Sequence, residues 1–216
     1  MASPAASPLL KRLFDIAAAG ALLLVLSPVL ALTALAVGVA LGRPLLFRQE
    51  RCGRFRRSFT VSKFRTMSDA RGADGTLLED GQRQTPVTAL LRRLRVDELP
   101  QLLAVLRGDM SFVGPRPLPA ETVAAFGSAG MIRSSIAPGM TGWAQVNGNT
   151  LLTNDQKIAL DQWYVERRTI WLDLWIVFLT LRTILLGETV NEGNVEAAVA
   201  RFGRRPTPPI EGGDAV

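Results

Sequence analysis

The sequence predicts a mainly helical α+β protein with one small β-hairpin and a helix that enters a membrane and turns back. Three observations carry that class. Residues 16–41 form a 26-residue stretch without an ionisable side chain, interrupted by Ser27-Pro28. Residues 45–49 and 58–64 read as two short strands about a basic, Gly-containing turn. From Thr85 to Leu186, apolar residues recur at helical spacing between capping and breaking residues.

The 16–41 stretch holds eight Leu, four Val and one Ile. At about −0.3 to −0.6 kcal/mol per such residue, insertion into a bilayer is favoured by several kcal/mol. Its length meets the roughly 20 residues a spanning helix needs and exceeds a signal-peptide core. Proline removes a helical N–H and clashes with the preceding turn, so Ser27-Pro28 predicts a kink. Lys11 and Arg12 precede the stretch and a dense Arg cluster follows it, so both flanks carry the cytoplasmic signature. That symmetry favours a re-entrant helix over a kinked span. The predicted organisation is a membrane segment over 1–42, a catalytic-type domain over 43–200 and a disordered tail over 201–216.

Beyond the hairpin, residues 68–84 are polar and rich in Gly and Asp, a surface loop. Thr85 is a good N-cap, and Pro86 suits the first helical position. Pro100 predicts that this helix stops near Leu99. A second short helix bearing Leu102, Leu103 and Leu106 then ends at Gly108. Residues 113–119, Val-Gly-Pro-Arg-Pro-Leu-Pro, form a stiff loop, and helices follow over 119–126 and 154–166. Residues 169–186 gather Trp171, Leu174, Trp175, Phe178, Leu181 and Leu185 mostly on one face, which suits an interfacial helix or an amphipathic core helix.

Composition restricts the chemistry. The 216 residues include no His and one Cys, which removes Ser-His-Asp and Cys-His nucleophilic sites, His-based zinc sites and internal disulfides. The net charge is +6, and residues 43–71 alone carry nine basic against two acidic side chains. The basic excess is therefore local and suits a polyanionic partner.

With His absent, carboxylates near arginine are the natural candidates. Asp97 and Glu98 are adjacent, follow Arg92, Arg93 and Arg95, and precede Pro100. A lone Asp-Glu pair reads most simply as a surface patch. Here it is accompanied by Arg116 in a proline-restricted loop, by Lys63 and Arg65 at a strand end, and by the tight turn Pro138-Gly139-Met140-Thr141-Gly142. Carboxylates, fixed arginines and a membrane anchor together suggest phosphate chemistry on a lipid-borne substrate. The competing reading is a membrane-anchored basic protein that binds nucleic acid or acidic lipid without catalysis.

Several long motifs then occur in one order: Phe47-Arg48-Gln49-Glu50-Arg51-Cys52-Gly53, Lys63-Phe64-Arg65-Thr66-Met67, Asp97-Glu98-Leu99-Pro100-Gln101-Leu102, Gly108 to Pro117, and Pro138 to Gln145. By these motifs the chain resembles the monotopic phosphoglycosyl transferases, the bacterial sugar transferase family, in its short catalytic-core form. The resemblance implies transfer of a sugar 1-phosphate from a UDP-sugar to undecaprenyl phosphate with release of UMP. It implies Asp97 as the nucleophile that takes the phosphosugar, Glu98 as its dyad partner, and Mg²⁺ on the dyad and donor diphosphate. Substrate binding would fall to Lys63, Arg65, Arg92, Arg116 and Gln145, and the helix break to Ser27 and Pro28.

The implied location is the cytoplasmic face of the bacterial inner membrane. The implied partners are donor, acceptor and anionic lipids, with no nucleic acid; the oligomeric state, including a homodimer, stays open. Two places depart from the family pattern. Ala104 stands where Asn is frequent, and Asn149-Thr150 stands where Arg-Asn is expected. The Glu192–Phe202 region is similar to that of short members acting on N-acetylated amino sugars.

Overall fold

The computed structural model describes residues 8–203. Helix α1 spans Pro8–Val25 and α2 spans Ser27–Leu41. No single helix among the described residues is long and apolar enough to cross a membrane. The α1–α2 pair meets that measure together, bent by 62°. Leu26 is the joint, and Ser27-Pro28 opens the second helix, where a missing N–H costs little. The Ser27 hydroxyl donates to the Leu24 carbonyl at 2.8 Å, closing the end of α1.

The hairpin consists of β1, Leu46–Cys52, and β2, Ser58–Phe64, antiparallel with Gln49 opposite Val61 and Phe47 opposite Lys63. Helix α3, Pro86–Arg93, begins as expected. Thr85 accepts from Thr88 N while the Thr88 hydroxyl accepts from Thr85 N. Its end differs from the expected stop near Leu99. The helix finishes at Arg93, Arg95 takes a left-handed φ of 55°, and a 3₁₀ turn runs over Val96–Gln101. Pro100 lies within that turn, just ahead of α4, Leu102–Arg107, so its missing N–H falls among groups that lack an intrahelical partner anyway. The break thus precedes Asp97-Glu98 and is made by Arg95.

Strand β3, Ser111–Val113, leads into the Pro-Arg-Pro loop, followed by α5, Ala120–Ala125, and α6, Ser128–Arg133. Strand β4, Gly139–Thr141, pairs in parallel with β3, and α7 covers Trp143–Val146. The pairing needs bare backbone. A Cβ on Gly139 would lie 2.1 Å from Gly114 N, and one on Gly142 would lie 2.2 Å from Gly114 O. Helices α8, Asn154–Arg167, α9, Ile170–Leu186, and α10, Glu192–Phe202, complete the chain. The tail expected from residue 201 starts inside α10, and its residues 204–216 lie outside the described ones.

Two apolar clusters meet at Phe112. One joins Val113, Trp143, Leu160, Tyr164, Ile176 and Val195; the other joins Ala19, Val61, Leu102, Val105 and Met110. Ala104 sits in the second, buried, so that departure is a packing position. Between the clusters runs a polar spine. Lys11 Nζ contacts Asp15 at 3.0 Å and Asp173 at 2.9 Å, and the Tyr164 hydroxyl donates to Asp173 at 2.6 Å. Arg12 donates to the Val105 and Leu106 carbonyls at 2.6 and 2.5 Å. Helix α1 is therefore fixed to the core by charged side chains at two points.

Helix α9 is amphipathic in the reverse sense of a soluble helix. Asp173, Ile176 and Thr180 point inward, the last sharing a 2.7 Å hydrogen bond with Thr141. Trp171 and Leu185 are 81% and 80% exposed, and Trp175, Phe178 and Leu181 share their side. A contiguous outward apolar face of this kind marks an interaction surface rather than a core helix.

Candidate active site

The 3₁₀ turn Val96–Gln101 packs against β2, α2 and α3. That placement brings its carboxylates to one end of a cavity of about 410 Å³. Lys63 from β2, Arg92 and Arg93 from α3, Arg95, and Arg116 from the Pro-Arg-Pro loop converge on Asp97 and Glu98 there. Arg116 Nη2 donates to Glu98 Oε1 at 3.2 Å, and Arg95 Nη1 lies 4.0 Å from Glu98 Oε2. Asp97 is 6% exposed. Burial, reinforced by the neighbouring Glu98 charge, pushes its carboxyl up to about 6, with Lys63 and Arg92 opposing.

The five expected binding side chains divide three to two. Lys63, Arg92 and Arg116 line the cavity with the two carboxylates. Arg65 does not. Its guanidinium hydrogen-bonds the Leu41 and Gly42 carbonyls, so it caps α2, a favourable place for a cation. Gln145, the fifth, is also turned away. It is buried, and its Nε2 donates to the Met140 carbonyl at 3.0 Å, bracing the Pro-Gly-Met-Thr-Gly turn from behind.

The same cavity is lined by a residue the sequence reading missed. Glu188, just beyond α9, accepts from Arg95 Nη2 at 3.0 Å, from the Asn149 amide, and from both Thr150 N, at 3.1 Å, and the Thr150 hydroxyl. Its burial disfavours charge, but the bonds from Thr150 and Asn149 and the Arg95 cation hold its carboxyl below the usual range. Asn149-Thr150, the second departure, is thus the loop's attachment to Glu188, with Asn149 at a φ of 43°. Nothing local marks Glu188: the contacts cross 38 and 93 residues of sequence. Strain at Arg95 and Asn149 is sustained because this one carboxylate holds both side chains.

No group of three or more His, Cys, Asp or Glu residues is disposed to hold a metal among the described residues. The Asp97-Glu98 pair offers hard oxygen donors from two carboxylates, a set that suits Mg²⁺ only when substrate oxygens and water complete it.

Comparison with known proteins agrees with the motif order. The pattern of the family described as bacterial sugar transferase covers residues 6–187. The chain is 44% identical over 186 residues to the uncharacterized sugar transferase EpsL of Bacillus subtilis, covering 86% of this chain and 92% of that protein. It is 43% identical over 187 residues to the undecaprenyl-phosphate glucose phosphotransferase of Komagataeibacter xylinus, covering 80% of this chain and 35% of that one. A third relative, 40% identical over 188 residues, is the UDP-N-acetylgalactosamine-undecaprenyl-phosphate N-acetylgalactosaminephosphotransferase of Aeromonas hydrophila, with 82% and 44% covered. The chain thus spans less than half the length of these last two enzymes and nearly all of EpsL. With the family pattern covering residues 6–187, the chain belongs to the bacterial sugar transferase family.

Proposed function

We propose that the protein transfers a sugar 1-phosphate from a UDP-sugar to undecaprenyl phosphate, giving a polyprenyl-diphosphate sugar and UMP, as the first membrane step of a glycan. The observation that carries this reading is the buried Asp97 carboxylate set in a cavity that also gathers Lys63, Arg92, Arg93, Arg95 and Arg116. A phosphoryl group in flight spreads charge over its equatorial oxygens, and positioned cations supply most of the acceleration. Lys63, Arg92 and Arg116 are placed for that task.

Asp97 attacks the phosphorus that bears the sugar. The new bond runs from its carboxylate oxygen to phosphorus, and the bond to the UMP oxygen breaks, its electron pair leaving with UMP. An oxygen of the lipid phosphate then attacks the same phosphorus, and the Asp97 carboxylate departs. A carboxylate intermediate divides one hard transfer into two displacements. Glu98, held by Arg116 and Arg95, stands beside Asp97 and opposes loss of its proton, while Lys63 and Arg92 favour it. Asp97 and Glu98 would hold Mg²⁺ together with the donor diphosphate, and the ion would supply further neutralisation of phosphate charge.

The α1–α2 pair fits a re-entrant anchor, with the outward face of α9 lying in the headgroup region and the active site on the cytoplasmic side of the bacterial inner membrane. The basic 43–71 segment directly after α2 adds attraction to anionic lipid, up to about 1 kcal/mol per well-placed cation. Single cysteines replacing Leu9 and Arg43 in a Cys52→Ala background should both react with an impermeant maleimide from the same side of sealed vesicles. Labelling from opposite sides would replace re-entry by a span and leave the chemistry untouched.

The reaction is tested by UMP release from a panel of UDP-sugars with undecaprenyl phosphate and Mg²⁺. Turnover that requires both lipid and one donor class is expected, and the productive donor names the sugar. An absence of UMP with every donor, from protein that still binds acidic vesicles, would return the non-catalytic reading.

A further inference from the structure

A small polar recess of about 60 Å³ adjoins the main cavity. Lys63, Glu98 and Arg116 line both and form a common rim. Asp97 opens only onto the main cavity; Gln49, Arg51 and Gln101 open only onto the recess. Strand alternation makes this arrangement. Gln49 and Arg51 share one face of β1, and Lys63 shares the matching face of β2.

The recess is built for an anion. Its charged lining is three cations, Arg51, Lys63 and Arg116, against Glu98 alone. Arg116 is paired with Glu98, while Arg51 hydrogen-bonds the Gln49 side chain and the Glu50 carbonyl, neither of which neutralises it. Burial, and then the nearby Arg116 charge, lowers the Arg51 pKa.

In-line displacement fixes what that anion is, given the two-step transfer proposed above, on which this inference rests. In the first displacement, the UMP phosphate leaves from the side of the phosphorus opposite Asp97. In the second, the lipid phosphate enters from that same side, because Asp97 again occupies the other. The two phosphates therefore use one locus in turn. We infer that the Arg51–Lys63–Arg116 recess is this shared phosphate subsite, with the transferring phosphorus at the common rim and the sugar in the main cavity. The UMP phosphate and the lipid phosphate exclude each other there.

The two half-reactions test it separately, with full-length protein in neutral detergent. Exchange of labelled UMP into UDP-sugar without lipid reports the first. Discharge of isolated phosphosugar-enzyme by undecaprenyl phosphate reports the second. Arg51→Gln is expected to slow both by a similar factor, about 10- to 100-fold for loss of a charge-assisted hydrogen bond. Arg51→Lys should recover part of each, and Arg48→Gln, on the other face of β1, should change neither. Slowing of one half alone would overturn the shared subsite and assign the recess to a single phosphate, and unchanged rates in both would overturn the recess altogether. Failure of the parent protein to exchange UMP would instead refute the covalent transfer itself.

Discussion

Asp97→Asn should lower UMP release by roughly 10³-fold or more, the scale seen when a covalent nucleophile is removed, and should also make the protein more stable. The second half follows from the site's own electrostatics. In the unfolded chain the carboxyl titrates at its ordinary value of 3.8, and in the fold at about 6. The native state thus holds a proton that the unfolded chain releases, so stability falls as pH rises from about 4 to about 6 and stays lowered above that. At 1.36 kcal/mol per pKa unit, the cost at pH 7 is about 3 kcal/mol. Asparagine removes the charge and therefore the cost. Thermal unfolding at pH 4.5 and pH 7.5 should show the variant's advantage at the higher value and little at the lower. The parent's initial rate should fall as pH drops through about 6, because the protonated carboxyl is not a nucleophile. An active Asp97→Asn protein would mean that another residue attacks; an inactive one with no gain in stability would mean that the carboxylate is not strained by its burial.

Arg133→Ala should cost about 3–5 kcal/mol of stability, the usual penalty for leaving one half of a buried ion pair alone. Arg133 is buried on α6 and Asp161 on α8; Nε donates to Asp161 Oδ2 at 3.0 Å and Nη2 lies 3.0 Å from the same oxygen. Nη2 also donates to the Arg116 carbonyl at 2.6 Å, so the pair holds the Pro-Arg-Pro loop by its backbone. Burial already pushes the Asp161 carboxyl up, with Arg133 opposing, and loss of the cation would leave that burial uncompensated. The double replacement Arg133→Met with Asp161→Leu should recover much of the stability, since apolar side chains carry no desolvation penalty. It should not recover full activity, because the anchor on Arg116 is gone. Denaturant unfolding of the single and double variants separates the two effects.

The elements legible in the sequence were those whose physics is local. Thr85-Pro86, the Leu spacing of 102–106 before Gly108, and the hairpin strands all rest on caps, periodicity or alternation within a few residues, and each formed near its expected place. Helix α3 ends ahead of Leu99 because Arg95 makes the break with a left-handed backbone that distant Glu188 sustains, whereas Pro100 is accommodated inside the 3₁₀ turn. Strands β3 and β4 escaped notice because three-residue strands carry no period, and their pairing depends on Gly114 meeting Gly139 across 25 residues. In the site, Asp97, Glu98, Lys63, Arg92 and Arg116 line one cavity. Arg65 and Gln145 belong to the same motifs yet serve α2 and the Met140 turn, since motif membership does not determine which way a side chain faces.

Lys11 shared between Asp15 and Asp173 has a consequence for how the enzyme meets its acceptor. Through it, α1 and α9 are joined by an ion pair, so that with both helices meeting the bilayer as proposed, the cavity's height above it is set by the fold rather than by a tether. On the proposed membrane reading, the acceptor's phosphate is confined to the same plane. Encounter then becomes a search in two dimensions, and the concentration that governs the second displacement is the acceptor's density in the leaflet, not its amount in the surrounding volume.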